Sequence, residues 1–238
     1  MKKSFILFLL LLSIISKAQT KEDILKRHFE KMGTPEKWLS INTFKKESTT
    51  IYGNSLVSSR TSKETKYCQK PALTRIESKS KNNSNENLFI VASDSLGTWQ
   101  KINNADVERI SKYGIDFIQT DMTIFIATEL KNKNNIKLKT NEFINGKEYY
   151  VLEVKNNTVI RRLLYINMKT YMIDICTSVD YDGKSSNAIA THLSDYRDVK
   201  GFLFPFLSEL KEFGVKMITT DIQINIPIDN KIFSPEKE

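Results

Sequence analysis

Residues 141–166 read NEFINGKEYYVLEVKNNTVIRRLLYI, and this stretch decides the fold class. The pairs Asn145-Gly146 and Asn156-Asn157 are typical of tight hairpin turns. The runs 148–155 and 159–166, which follow these turns, are rich in β-branched and aromatic residues. The first run carries apolar side chains at odd and even positions, so a strand there needs cover on both faces. The stretch therefore predicts neighbouring antiparallel strands inside a packed sheet.

Strand and turn signals of the same kind extend outward over most of the chain. The other predicted strands cover residues 43–52, 55–68, 72–80, 88–93, 98–102, 135–143, 172–181, 188–195, 203–213 and 216–226. Short strands joined by tight turns indicate one antiparallel sheet of roughly ten strands, curved into an unclosed β-barrel. The polar run 79–87, which contains four Asn, is predicted to be a surface loop. We find no repeat and no linker, so residues 19–238 are predicted to form a single, mainly β (α+β) domain.

Helical signals occur before the strands and in the middle of the chain. Residues 20–32 begin with a capping-box pattern and end before Gly33. Their apolar stripe has helical spacing and consists of Ile24, Leu25, His28, Phe29 and Met32. A second short turn starts at Thr34-Pro35. Residues 104–113 are predicted to form a helix that has Asn104 as its N-cap and stops at Gly114.

The segment 115–130 is apolar on more than one face, so it must be covered on both sides or must itself cover something. We interpret it as helical, although residues 123–128 fit a strand equally well. Together with residues 104–113 it is the predicted lid over the sheet.

The N-terminus has the three parts of a secretory signal peptide. Lys2 and Lys3 precede an apolar run at 5–15, and Ser16-Lys17-Ala18 places small residues where a signal peptidase cleaves. A membrane anchor is the alternative, but a spanning helix needs about 20 apolar residues. No Cys follows the run, so we see no lipoprotein acylation site. We expect residues 1–18 to be removed and the mature chain to be soluble in the periplasm.

The net charge of +8 is dispersed along the chain. Three of the positive charges lie in the first 18 residues, which leaves +5 for residues 19–238. A mildly basic, scattered charge is not the focused patch of a nucleic-acid-binding protein. A solvated surface is the favoured interpretation, and attraction to anionic lipid head groups is a weaker one.

Cysteine, histidine and acidic residues provide little for catalysis or metal binding. Cys68 and Cys176 can pair only if their geometry allows it, which the sequence leaves open. His28 and His192 are far apart in sequence, and His28 is better explained as a packed histidine on a helix stripe than as a ligand. No recognised nucleophile, phosphate-loop or zinc motif occurs. We therefore expect a non-enzymatic protein that carries no cofactor and no metal.

Five segments together resemble the outer-membrane lipoprotein-sorting (LolA-like) family. They are MGTPEKW at 32–38, residues 141–154, LYINMKTYMI at 164–173, SDYRDVKGFLFPF at 194–206 and INIPIDNKIF at 224–233. The segment 194–206 is the best match, since it is similar to the family's sDYrevdGvlfPf pattern. The resemblance covers nearly the whole mature chain, is strongest from residue 136 onward, and rests on short structural motifs in a shared order.

The resemblance implies an unclosed, strongly curved β-barrel with a helical lid over an apolar cavity. It also implies a role in holding the acyl chains of a lipid or lipoprotein away from water, with membrane proteins of the envelope as further partners. A charged residue before a Pro fastens the lid in this family, and Lys70-Pro71 is the matching dipeptide. Lys70, the candidate latch, keeps the charge but lacks the planar donor fork of Arg. Asp94 and Trp99 are similar to an Asp and a Trp on the following strand of the family.

The predicted binding site is an apolar cavity between the sheet and the lid. The candidate ligand-binding residues are Phe117, Ile118, Met122 and Phe125 on the lid, and Trp99, Leu152, Leu164 and Ile175 on the sheet. A register slip of one residue would exchange inward and outward side chains on any strand. Two alternatives remain: a structural or protein-interaction module of the envelope with a filled core, and an enzyme with an unrecognised site.

Overall fold

The computed structural model describes residues 19–53, 60–70, 73–82, 85–94, 96–110, 135–155, 160–180 and 189–235. Helices α1, Lys21–Met32, and α2, Pro35–Leu39, precede the sheet. The predicted capping box is confirmed, because the Thr20 hydroxyl accepts the Asp23 amide at 3.2 Å and the Asp23 carboxylate accepts the Thr20 amide at 3.3 Å. Gly33, at φ 100°, ends α1 in a conformation that favours glycine.

Fourteen strands in the described residues form one antiparallel sheet. They are β1 Thr43–Tyr52, β2 Arg60–Gln69, β3 Leu73–Asn82, β4 Asn85–Asp94, β5 Gly97–Ile102, β6 Glu108–Ile110, β7 Ile136–Leu138, β8 Glu142–Ile144, β9 Lys147–Lys155, β10 Ile160–Asn167, β11 Ile173–Asp180, β12 Ile189–Val199, β13 Phe202–Leu210 and β14 Val215–Ile224. Short 3₁₀ helices lie at Lys211–Phe213 and Asn230–Phe233.

The order of the strands is β6-β5-β4-β3-β2-β1-β14-β13-β12-β11-β10-β9-β7, and β8 also pairs with β9. Nearly every strand therefore pairs with its neighbour in the chain, as a meander does. The β1–β14 pair is the long-range seam that joins the two halves. Over the described residues the sheet is not closed into a barrel, which confirms the predicted mainly β class and its unclosed architecture.

Two local predictions are wrong. Residues 104–113 were expected to be helical, but Glu108–Ile110 is strand β6 and pairs with β5 at the sheet edge. Arg109 holds it there with two bonds to the Asp94 carboxylate, at 2.8 and 3.0 Å, so pairing and charge override local helix propensity. The polar run 79–87 was expected to be a loop, but the β3–β4 ladder continues as far as the Asn82–Asn85 pair.

Alternation along the strands gives the sheet two faces. Phe44, Leu164 and Phe204 lie on the face against which α1 and α2 pack, which we call the helical face. Val151 and Tyr165 point to the other side, which we call the opposite face. The main core lies between α1, α2 and the helical face of β9–β14.

Trp38 attaches α2 to this core. Its ring makes edge contacts with Phe202 and Phe204, at centroid distances of 5.1 and 4.9 Å. Its indole N–H donates to the carbonyl oxygen of Met32 at 3.1 Å, which joins the end of α1 to α2. The two helices therefore pack as one unit on the sheet.

The cysteines do not pair. Cys68 is half-buried on β2, and Cys176 is buried on β11. Five strand spacings separate β2 from β11, roughly 24 Å along the sheet. A disulfide needs Cα atoms within about 7 Å of each other. Among the described residues, no helix is long and apolar enough to span a membrane.

Candidate functional site

Leu152 and Leu164 are cross-strand partners on the helical face of β9 and β10. They are 0 % and 1 % exposed, and they belong to the cluster that includes Ile24 and Phe29 of α1. The structure thus brings these two predicted site residues together, directly in the region covered by α1. Contact with a ligand stays a prediction for both.

Ile175 lies on the opposite face. A β-bulge at Asp174 is the cause, because Tyr165 pairs with Ile175 whereas Ile166 pairs with Ile173. The extra residue sends Ile173 into the main core and Ile175 into a second cluster on the other side.

Trp99 also lies away from Leu152 and Leu164. Trp99 pairs with Ala92 on β4, which in turn pairs with Arg75 on β3, and residues paired in this way share one face of the sheet. Trp99 therefore lies on the opposite face of β5. The indole N–H donates to the carbonyl oxygen of Phe233 at 2.8 Å, and the Arg75 guanidinium lies 5.7 Å from the ring centroid. Trp99 therefore fixes the C-terminal 3₁₀ helix to the sheet. The predicted lid residues Phe117, Ile118, Met122 and Phe125 lie outside the described residues.

The opposite face contains an open cavity of about 500 Å³ beside the Asp174 bulge. Its lining is mixed and includes Ile144, Lys147, Tyr149, Met172, Asp174, Ile175, His192, Tyr196, Glu209 and Lys211. The Asp174 carboxylate accepts bonds from Asn167 at 3.0 Å, Tyr149 at 3.2 Å and Lys147 at 3.3 Å.

Burial and the neighbouring charge of Asp174 raise the pKa of Tyr149 to about 12, so its hydroxyl stays protonated. Burial and the nearby Lys211 lower the pKa of His192, which favours a neutral ring. This cavity offers hydrogen bonds and some apolar surface. Within the described residues no group of three His, Cys, Asp or Glu side chains could hold a metal.

Hydrogen bonds from two lysine side chains hold α2 against the sheet. The ammonium group of Lys70, the candidate latch, donates to the carbonyl oxygen of Leu39 at the C-terminal end of α2. Lys37 donates to the carbonyl oxygen of Gly201 at 2.6 Å and lies over the Phe202 ring, 4.8 Å from its centroid. Lys70 therefore ties a helix to the β2–β3 turn, and its role as a latch for a moving lid stays a prediction.

Tyr171 is the anchor for α1. Its hydroxyl accepts bonds from Gln19 at 2.9 Å and Arg27 at 3.0 Å, and its backbone carbonyl accepts Nδ1–H of His28 at 2.7 Å. His28 is fully buried, which lowers its pKa to about 4. The ring is therefore neutral at physiological pH and carries its proton on Nδ1. As predicted, His28 is a packed residue of the helix stripe.

Three solved structures align with nearly the whole chain: a LolA-superfamily protein from Nitrosomonas europaea (TM-score 0.59, 13 % identity, 92 % of this chain and 99 % of that one), a DUF1329-family protein from Desulfovibrio piger (0.56, 13 %, 90 % and 96 %) and a putative outer-membrane lipoprotein-sorting domain from Vibrio parahaemolyticus (0.55, 12 %, 89 % and 94 %). The fold is LolA-like. No protein-family model and no curated protein sequence matches the chain, and identities this low show the shared fold alone.

In this LolA-like fold the helical face is not uniformly apolar. Over β1–β5 it carries small hydroxyl side chains, and we call this region the hydroxyl-lined half. Its buried members are Ser48, Thr50, Ser62, Thr74, Ser80, Ser93 and Thr98. The apolar half on β9–β14 meets it at the β1–β14 seam.

Sequence reasoning missed the hydroxyl-lined half, although a signal was present. On β1 every second residue faces the helical side, namely Phe44, Lys46, Ser48 and Thr50. Three of these four positions are polar, whereas the wall of an apolar cavity would have apolar residues at every second position of the strand. Two hydroxyl oxygens there, Ser48 Oγ and Thr98 Oγ1, are buried and have no hydrogen-bond partner among the described residues.

Proposed function

We propose that this protein is a periplasmic, non-enzymatic carrier that shelters the acyl chains of a lipid or an acylated lipoprotein. Proteins of the envelope membranes would deliver and accept the cargo. The observation that carries the proposal is the construction of the helical face. An apolar surface on β9–β14 is covered by α1, a short helix that a few hydrogen bonds to Tyr171 hold in place.

Such a helix can act as a removable cover. Its buried apolar side chains, among them Ile24, Leu25 and Phe29, pack on apolar side chains of the sheet. When the helix is displaced, the same surfaces can contact hydrocarbon instead of each other. A fully buried sixteen-carbon chain contributes up to about 13 kcal/mol, which offsets the cost of breaking several anchoring bonds.

The first experiment is native mass spectrometry of the protein purified from its own envelope. A carrier is expected to retain lipid, seen as a mass excess that disappears on denaturation. Binding of a fluorescent fatty acid to the delipidated protein provides the affinity.

A variant pair tests the removable cover. Arg27→Ala removes an anchor of α1, so the open population and the apparent fatty-acid affinity should rise about five-fold. Arg109→Ala is the matched control, because it breaks an ion pair at the far sheet edge, away from α1. If the purified chain carries no lipid and no variant binds the probe, the carrier function is wrong.

A filled core favours the alternative of a structural or protein-interaction module. Leu152 and Leu164, expected to line the cavity, are completely packed. The open cavity beside Asp174 would then be a contact surface for a protein partner. This alternative predicts no fatty-acid binding, together with loss of a partner when the opposite face is altered, for example by Ile175→Asp.

A further inference from the structure

The first residue of the expected mature chain is held by its side chain. Cleavage after Ala18 would leave Gln19 at the N-terminus, directly before Thr20, the N-cap of α1. The side-chain amide nitrogen of Gln19 donates to the Tyr171 hydroxyl at 2.9 Å, and its side-chain oxygen accepts a hydrogen bond from the Tyr150 hydroxyl. Both polar atoms of this side chain are therefore bound.

The two tyrosines form a fixed frame around Gln19. The rings of Tyr150 and Tyr171 are stacked, with centroids 6.0 Å apart and planes inclined by 27°. Tyr171 has φ 59°, which is a strained conformation for a bulky residue. Its N–H donates to the carbonyl oxygen of Asn167 at 2.8 Å, which holds it in this turn. A strained residue that its surroundings hold in place is typical of a functional position.

An N-terminal glutamine contains a nucleophile and an electrophile in one residue. Its α-amine nitrogen can attack Cδ of its own side chain and close a five-membered lactam, pyroglutamate. The N–Cδ bond forms, the Cδ–Nε2 bond breaks, and a proton passes from the α-amine to Nε2, which leaves as ammonia. The reaction needs no oxidant, reductant or second substrate, and proximity favours it because both groups belong to one residue.

The hydrogen bonds at Gln19 lie where this reaction needs them. Attack on Cδ places negative charge on the side-chain oxygen, which is the atom that Tyr150 contacts as a donor. The leaving nitrogen, Nε2, contacts the Tyr171 hydroxyl, a group that can donate its own proton to departing ammonia. Burial raises the pKa of this hydroxyl, but hydrogen bonds from Gln19 and Tyr150 and the charge of Arg27 outweigh burial and lower the pKa.

The product fits the start of α1 better than the free amine does. Gln19 lies one residue before the N-cap, at the positive end of the helix dipole. A free α-ammonium would add a positive charge there, which the dipole disfavours. Arg27, which binds the same Tyr171 hydroxyl, adds a further positive charge nearby. Pyroglutamate is neutral and keeps a carbonyl oxygen for the Tyr150 hydroxyl.

We infer that Gln19 is a modification site, at which the folded protein converts its own N-terminal glutamine into pyroglutamate with the help of Tyr150 and Tyr171. The inference rests on signal-peptide cleavage after Ala18 and does not depend on any bound lipid. The modified residue removes the charge at the start of α1 and leaves no free α-amine for aminopeptidases.

The first measurement is the intact mass and the N-terminal peptide of the protein purified from its own envelope. The expected chain begins at residue 19 and is lighter than the unmodified chain by one ammonia molecule. Chemical sequencing from its N-terminus should fail until pyroglutamyl aminopeptidase removes the lactam. A free Gln19, or a chain that begins at any other residue, would overturn the inference.

A second measurement shows whether the protein itself promotes the reaction. The full mature chain is released from a cleavable fusion, so that Gln19 becomes N-terminal, and the loss of ammonia is followed by mass over time. Tyr150→Phe should slow this loss about tenfold, because it removes the donor to the side-chain oxygen. Tyr149→Phe is the matched control, since Tyr149 is the preceding residue of β9, faces the opposite side and binds Asp174. Its rate should equal that of the wild type.

A comparison within the wild type keeps the test independent of how any variant folds. The wild-type chain in urea should lose ammonia about tenfold more slowly than the folded chain, because unfolding separates Gln19 from both tyrosines. An equal or slower rate in the folded chain would show spontaneous chemistry without a built site, and the inference would be wrong. A folded Tyr150→Phe variant that reacts as fast as the wild type would overturn it as well.

Discussion

Acidification from pH 7.5 to pH 5.0 should lower the free energy of unfolding by about 2 kcal/mol through His28 alone. Burial lowers the pKa of this residue from 6.5 to about 4, so the native state disfavours the proton that the unfolded chain accepts. The stability that neutral His28 provides is complete above pH 6.5 and is lost as the pH falls towards 4. A shift of about 2.5 units corresponds to about 3.4 kcal/mol in total, of which about 2 kcal/mol is lost by pH 5.0.

Urea unfolding followed by circular dichroism at pH 7.5, 6.0 and 5.0 measures this loss. His28→Gln retains an N–H that can reach the Tyr171 carbonyl but cannot titrate, so its stability should be nearly independent of pH in this range. His192→Gln is the control. It removes the other histidine, and its free energy of unfolding should keep most of the wild-type dependence on pH. The reasoning would be refuted if the wild-type free energy of unfolding fell by less than 0.5 kcal/mol between pH 7.5 and pH 5.0. It would also be refuted if His28→Gln showed the same dependence on pH as the wild type.

Three further predictions concern the core, the thiols and the latch. Leu164→Ala should cost about 3 kcal/mol in urea unfolding because it leaves a cavity in a fully packed site; a cost below 1 kcal/mol would contradict that packing. Burial raises the pKa of the Cys176 thiol to about 12, so maleimide at pH 7.5 should label Cys68 first and Cys176 only on unfolding, as intact mass would show. Lys70→Met should speed hydrogen exchange in α2 about fivefold by removing the bond to Leu39, and unchanged exchange would exclude a latch.

Local signals predicted the elements of this fold well. The capping box at Thr20 and the hairpin mark at Asn145-Gly146 act over three or four residues, so a single sequence contains all the information they need. Glu108–Ile110 failed because its state depends on β5, the strand with which it pairs. A three-residue edge strand is too short to show the alternation of apolar and polar residues that marks a strand in the sequence.

The site was harder to predict because it depends on register. Leu152 and Leu164 lie on the expected face, whereas the Asp174 bulge moves Ile175 to the other side. An extra residue in one strand leaves no clear mark in the sequence. The hydroxyl-lined half was overlooked because Ser and Thr in a polar strand are normally solvated, and only the three-dimensional structure shows that Ser48 and Thr98 are buried.

The seam between β1 and β14 has a consequence for how the molecule assembles. Phe44 lies opposite Ile224, a separation of 180 residues, whereas most other neighbouring strands are linked by short connections. Closing so long a loop costs about 3 kcal/mol more in chain entropy than closing a hairpin. The two meanders can therefore form early and independently, and their union is the slow step. Because Phe44 and Ile224 belong to the main core and meet only across this seam, that part of the core is completed only when the two halves join.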